Sequence, residues 1–330
     1  MATILLTSPR AARDLYYGDE ALAGLRRLGE VRLNDGDRPW DPPGLIAAAK
    51  GCDIIVSDRS TAGPGEVFDA LPDLKAFVRC AVDIRNVDVA AASRHGVLVT
   101  HASAGFIAAV SELAVGYMID LGRRIGISTR LYHEGKVPPA VMGRQLRGSV
   151  LGIMGYGAIG RYLADLGVAL GMQVMVFDPF ATVEKPGIRQ VDLPLLLAQA
   201  DFVVCLVVAN EKTENLMNAT AFKRMKQSAF FINVSRGNLV DEAALEHALK
   251  TGIIAGAAMD VGRAPDQMPT PSLAALPNVI ATPHTGGLTP PAAFHQSMET
   301  VRQVAEILKG GTPVGAVNAE VASRLSLLAR

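Results

Sequence analysis

The chain has 330 residues, 32 lysines and arginines against 32 aspartates and glutamates, and 49% apolar side chains. That length exceeds the usual single domain and predicts two, while zero net charge and no basic run longer than Arg26-Arg27 or Arg123-Arg124 exclude a nucleic-acid footprint. The longest apolar stretch, residues 202–209, is too short to span a bilayer. Cys52, Cys80 and Cys205 have no metal-ligand spacing and read as reduced thiols, so a cytoplasmic protein without membrane partner or metal centre is expected.

The start, Met1 to Thr7, reads as a first strand and lacks the basic n-region and long apolar core of a signal peptide. Over residues 1–100 short apolar runs at 4–6, 31–33, 53–56, 76–78 and 97–100 alternate with helical patterns at 21–28, 43–50 and 89–94. Strands alternating with helices predict a parallel, doubly wound sheet of flavodoxin-like type. Residues 104–124 form one helical stripe, with Ile107, Val110, Leu113, Ala114, Tyr117, Met118 and Leu121 at three- and four-residue spacing, suited to bridging two domains. Residues 128–148, with Pro138-Pro139 and several glycines, read as loop.

The stretch that follows organises the chain. An apolar run from Val150 ends in Gly155-Tyr156-Gly157-Ala158-Ile159-Gly160, and a helical pattern at 159–170 begins at once. In a strand–turn–helix of this kind Gly155 permits the turn, Gly157 admits a pyrophosphate, and Gly160 lets helix and strand approach. The first amides of the helix, at Ala158 and Ile159, offer N–H groups at its positive end. A second run, 173–177, ends in Asp178, whose carboxylate suits an adenosine ribose and repels a 2′-phosphate, so NAD is favoured over NADP. The plainer alternative is an ordinary βαβ turn with a surface aspartate.

The rhythm then resumes, with strands at 201–208, 229–234, 253–261 and 279–282, helices at 218–226 and 241–251, a last helix at 290–308 and a short tail. Ligands of open α/β sheets sit beyond the carboxyl ends of strands. Ser235-Arg236, Asp260 and Pro283-His284 fall at such ends.

Four motifs in order, the glycine motif, Phe231-Ile232-Asn233-Val234-Ser235-Arg236-Gly237, Ala258-Met259-Asp260-Val261 and Thr282-Pro283-His284-Thr285-Gly286-Gly287, resemble the NAD-dependent D-isomer-specific 2-hydroxyacid dehydrogenases. The resemblance covers nearly the whole chain. It implies an α/β fold of two doubly wound parallel-sheet domains: a flavodoxin-like substrate domain (1–100 with 288–330) and a Rossmann NAD-binding domain (101–287) inserted in it. It further implies an active site in the cleft, a homodimer, and Arg236 holding and polarising a 2-oxo acid while His284 serves as acid and base. Gly155, Gly157, Ala158, Ile159, Gly160, Asp178, Thr213 and Asp260 would contact NAD.

Two departures stand out. The family glutamate that pairs with the histidine is replaced by Pro265; without it His284 should titrate lower and be a poorer proton donor at neutral pH, and Asp266, one position later, is either a substitute or a loop residue. The substrate loop, residues 79–88, lacks glycine, and Asp83 would repel a substrate carboxylate unless Arg85, Arg79 or Arg59 compensates. The expected activity is NAD-dependent interconversion of a small-molecule 2-oxo acid and D-2-hydroxy acid, of glyoxylate or hydroxypyruvate type. Two alternatives stand beside it: a phosphorylated or larger hydroxy acid as substrate, and an NAD(H)-binding scaffold without turnover.

Overall fold

Five short strands, β1 (Thr3–Leu6), β2 (Glu30–Leu33), β3 (Ile54–Ser57), β4 (Ala76–Arg79) and β5 (Leu98–His101), pair in parallel in the order β2-β1-β3-β4-β5. That order is the flavodoxin-like one. β3 and β4 are buried at every position, as expected of parallel strands covered on both faces. Helices Pro42–Ala49, Gly65–Ala70 and Val89–Arg94 supply Leu45, Val67, Phe68 and Ala91 to one face. Helix Asp19–Leu28 supplies Leu22 and Leu25 to the other, joined by Val304 and Ile307 of the late helix Pro290–Leu308. In the computed structural model, which describes residues 1–328 apart from the side chain of Asp266, this compact unit comprises Met1–Phe106 and Leu288–Arg330.

The second unit, Ile107–Gly287, holds β6 (Val150–Met154), β7 (Gln173–Phe177), β8 (Ile188–Gln190), β9 (Phe202–Cys205), β10 (Phe230–Asn233), β11 (Gly256–Met259) and β12 (Val279–Ala281). Their order, β12-β11-β10-β9-β6-β7-β8, is parallel throughout and reverses direction between β6 and β9. This is the doubly wound dinucleotide-fold order with one strand added at the edge. Asp192, Asn218 and Asp241 cap the helices that follow them by accepting backbone N–H groups at 2.8–3.1 Å. Each satisfies an otherwise orphaned donor.

Residues 128–148 are not all loop. Arg124 adopts a left-handed conformation (φ 58°) and Asp120 Oδ1 accepts the Gly126 N–H at 2.7 Å, so the long helix Ile107–Arg123 breaks and a new one, Ile125–His133, begins. None of its residues is buried, which is why apolar periodicity did not reveal it. The same reason hides Arg10–Tyr16 and the edge strand β8. No helix among the described residues is long and apolar enough to cross a membrane.

Candidate functional site

The glycine loop is shaped by close backbone approach. Gly155 has φ +100°, donates to Phe177 O at 2.8 Å, and leaves only 2.7 Å between a hypothetical Cβ and Leu206 O. Only glycine tolerates both conditions. Gly160 packs directly on the Gly155 carbonyl, whereas a Cβ on Gly157 would meet nothing within 4 Å. Gly157 begins helix Ala158–Ala169 without a side-chain cap. Open space over the first-turn amides at the sheet's switch point fits a pyrophosphate.

Asp178 contributes more than a carboxylate at a strand tip. Its Oδ2 accepts Tyr156 N–H at 2.7 Å, and its Oδ1 accepts Phe180 and Ala181 N–H at 2.8 and 3.1 Å. It therefore ties the glycine loop to the end of β7, and two oxygens with about four lone-pair sites retain acceptor capacity. On the loop's other flank Arg161 lies 5.1 Å from the Tyr156 ring centre and donates to Tyr156 O at 3.1 Å. Thr213 spends its hydroxyl locally: Oγ1 accepts Asn210 N–H at 2.8 Å and donates to Val208 O at 2.9 Å.

A second cluster lies at the ends of β10, β11 and β12. The fully buried Asn233 closes β10 and shapes the turn beyond it, accepting Ser235 N–H at 3.1 Å and donating to Arg236 O at 2.9 Å. Ser235 Oγ anchors that turn to Val207 O at 2.7 Å. Gly237 abuts the Gly262 backbone so closely that no Cβ fits. Arg236 is half-buried, with Nη1 donating to Ser235 O at 2.7 Å.

Asp260, 2% exposed, follows β11 and organises the turn after β12. Its Oδ1 accepts the Thr282 hydroxyl at 2.5 Å and Thr285 N–H at 2.7 Å, and Oδ2 accepts Gly286 N–H at 2.8 Å. These bonds straddle His284, which is half-buried and sits at φ +54°. A left-handed non-glycine residue costs roughly 1–2 kcal/mol, and anchors on both sides of it supply that. Tyr117 joins the network from helix Ile107–Arg123 by bonding Thr282 Oγ1. Burial first, and then the charge of Asp260, push its phenol above the usual tyrosine range.

Pro265 opens a single turn, Pro265–Gln267, and the side chain of Asp266 lies outside the described residues. The neighbouring Arg263 binds elsewhere: its Nη2 reaches Glu214 and Asn215 at 2.7 Å each, and its backbone N–H reaches Glu242 Oε1 at 3.0 Å. Among the described residues no histidine, cysteine and carboxylate group could hold a metal.

In the first unit, the question left open about Asp83 has a local answer. Arg85 grips it with Nε at 2.9 and 3.1 Å and Nη2 at 2.5 Å. Arg79, fully buried, instead bonds Asp58 O and, at 2.6 Å, Asn86 Oδ1, so it clasps two strand-end loops. Desolvation pulls its pKa down to about 10 against the pull of Asp58 and Asp83. Arg59 follows β3 and is exposed.

Sequence reasoning missed Tyr117, Thr282, Arg263 and the shaping role of Asn233. Asn233 and Thr282 lay within recognised motifs. Tyr117 appeared only as one position of an apolar stripe, and Arg263 carried no signal.

The family model for the D-isomer specific 2-hydroxyacid dehydrogenase NAD binding domain matches residues 115–286. D-3-phosphoglycerate dehydrogenase of Archaeoglobus fulgidus is 33% identical over 305 residues, which is 91% of this chain and 57% of that protein. Glyoxylate reductase of Korarchaeum cryptofilum is 30% identical over 321 residues, 95% of this chain and 97% of that one. The apo-structure of D-lactate dehydrogenase from Escherichia coli superposes with a TM-score of 0.81 at 25% identity, over 96% of this chain and all of that one. The chain thus spans little more than half of the phosphoglycerate enzyme it matches and nearly all of the glyoxylate reductase.

Proposed function

The chain belongs to the D-isomer specific 2-hydroxyacid dehydrogenase family, and on that premise we propose that it is an NAD-dependent oxidoreductase interconverting a 2-oxo acid and a D-2-hydroxy acid. The observation that carries this reading is the placement of Arg236, Asp260 and His284 after three adjacent strands, in the unit whose glycine loop fits a dinucleotide. The amides of Ala158 and Ile159 would hold the pyrophosphate over Gly157. Asp178 would accept a ribose hydroxyl with the one acceptor site left on Oδ2, and its charge would reject a 2′-phosphate. Thr213 and Asp260 belong to the same surface by family resemblance. When bound, NADH supplies the hydride.

Arg236 holds the substrate carboxylate with its planar fork and draws electron density from the adjacent carbonyl, a geometry lysine does not reproduce. His284, as imidazolium, gives a proton to the carbonyl oxygen, and as neutral imidazole takes it back in the oxidative direction. With Pro265 where the family has glutamate, reductase activity is expected to rise toward acid pH. The deciding experiment is NADH oxidation with glyoxylate, hydroxypyruvate and other 2-oxo acids over several pH values, with NADPH alongside. Tight NADH binding with no turnover on any 2-oxo acid would favour the scaffold alternative.

A homodimer is part of the same reading. Ile125, Tyr132, Val137, Val141 and Met142 are exposed apolar side chains along residues 125–142, and Met142 is 96% exposed. Exposed large apolar side chains gathered in one segment are interface material where they adjoin. Sedimentation at twice the chain mass of 34.8 kDa is expected; a monomer would contradict it.

A second reading is a phosphorylated hydroxy acid as substrate. It is supported by the identity to D-3-phosphoglycerate dehydrogenase and by Arg59 and Arg85, exposed beyond β3 and β4. NAD-dependent oxidation of D-3-phosphoglycerate tests it.

A further inference from the structure

We infer that Tyr117 is a positioning residue for His284, acting through Thr282 and Asp260; the inference deepens the proposed function and rests on His284 being its proton donor. Tyr117 is 4% exposed, and its phenol meets Thr282 Oγ1. A threonine hydroxyl has one proton, and that of Thr282 goes to Asp260 Oδ1 at 2.5 Å. The phenol is therefore the donor in the first bond. Phenol, hydroxyl and carboxylate form a one-way chain, and it ends on the same Oδ1 that accepts Thr285 N–H at 2.7 Å.

The helix bearing Tyr117 supports the turn at its other end as well. A Cβ on Gly286 would stand 3.4 Å from Val110, 3.5 Å from Leu113 and 2.8 Å from Asp260 Oδ2. Val110, Leu113 and Tyr117 recur at three- and four-residue spacing and share one face of Ile107–Arg123. The helix thus touches the segment on both sides of His284, through a hydrogen bond at Thr282 and by packing at Gly286. A residue at φ +54° has no strong preference of its own for that place. The backbone from which its ring projects is held by the bonds at Thr282 and at the Thr285–Gly286 amides, and Tyr117 fixes the far end of that grip. The raised phenol pKa keeps the donor protonated through the neutral range.

The test uses the full chain carrying Tyr117→Phe, which removes one hydroxyl and keeps the ring. The expected result is a fall in kcat of about five- to tenfold, the size of one net hydrogen bond, with KM and the NADH Kd held within about twofold. In the enzyme without substrate, the His284 ring resonance, assigned by His284→Gln, should shift or broaden. Thr282→Val should reproduce both effects, and Thr282→Ser, which keeps the hydroxyl, should show neither. An unchanged His284 resonance in Tyr117→Phe, whether kcat stays or falls together with NADH affinity, would overturn the inference. Full turnover in His284→Gln would instead overturn the functional reading, while the Thr282 and Gly286 amide resonances of Tyr117→Phe would still report whether the turn depends on the phenol.

Discussion

Asp53, just before β3, and Asp201, just before β9, stand at matching places in the two sheets. Each accepts the N–H of a residue in its unit's first strand, Thr3 at 2.7 Å and Val150 at 2.8 Å. Each also takes a lysine, Lys75 at 2.6 Å and Lys226 at 3.0 Å, and Asp201 adds Arg144 at 2.7 Å. At the opposite, carboxyl-terminal edge Asp83 also pairs with a cation, Arg85, but three other carboxylates are held differently. Asp58, Asp178 and Asp260 take hydroxyl and amide protons. A carboxylate neutralised by a cation fastens one element to another. A carboxylate held by neutral dipoles keeps its field and orients a loop, which is what a site at the carboxyl ends of strands requires.

The sharpest way to break this contrast is Asp260→Asn, which keeps the shape and removes the charge. An amide turns one NH2 toward the Thr285 or Gly286 N–H, so the histidine turn loses an anchor. We expect kcat to fall on the order of 100-fold, comparable to losing a preorganised electrostatic contact, with the melting temperature little changed. Steady-state kinetics beside thermal unfolding checks this; a large stability loss with kcat intact would place Asp260 with the cation-paired carboxylates. Asp178→Asn is next. Its loop bonds and the proposed ribose contact weaken together, so NADH affinity should fall about tenfold, the scale of a charged hydrogen bond, and preference against NADPH should narrow. Fluorescence titration with both nucleotides measures it.

Asp201→Asn should affect stability and not turnover. Desolvation works against the charged form there, but the Val150 amide, Lys226 and Arg144 outweigh it and hold Asp201 below the usual carboxylate range. A depressed folded-state pKa contributes stability that is present above the unfolded value of about 4 and is lost as pH falls through the folded one. The variant should therefore be less stable by about 1–2 kcal/mol at pH 7, with the difference shrinking below about pH 4. Urea unfolding at both pH values tests the sign. Smallest is Arg85→Ala. Its partner Asp83 lies in a pair whose arginine side chain is 66% exposed, so stability should move by less than about 1 kcal/mol. A larger change would mean that the pair shapes the substrate-side loop.

Features made by backbone constraint were legible in the chain because glycine identity records them. Gly155 and Gly160 could be assigned their places before any coordinates, and strand Gln173–Phe177 and helix Pro290–Leu308 have the ends their patterns predict. The first sheet is legible in the alternation of apolar runs and helical patterns over residues 1–100, and the family in the four later motifs. Features made by side chains meeting across long separations were not legible. Tyr117 and Thr282 lie 165 positions apart, and no local pattern distinguishes a stripe tyrosine that packs from one that donates. The Asp178 grip on the Tyr156 amide has the same character. Arg85 was one of three arginines weighed against Asp83, and only geometry selects it. Helix Ile125–His133 escaped because a helix with no buried face leaves no apolar period to read.

The central claim is that His284 delivers the proton while Arg236 holds the 2-oxo acid beside bound NADH. Single-turnover oxidation of NADH with glyoxylate or hydroxypyruvate, comparing the native chain with His284→Ala, tests it most directly. A rate falling by about 10²–10⁴ with NADH affinity retained is the predicted result. Turnover unchanged by the substitution would contradict the account.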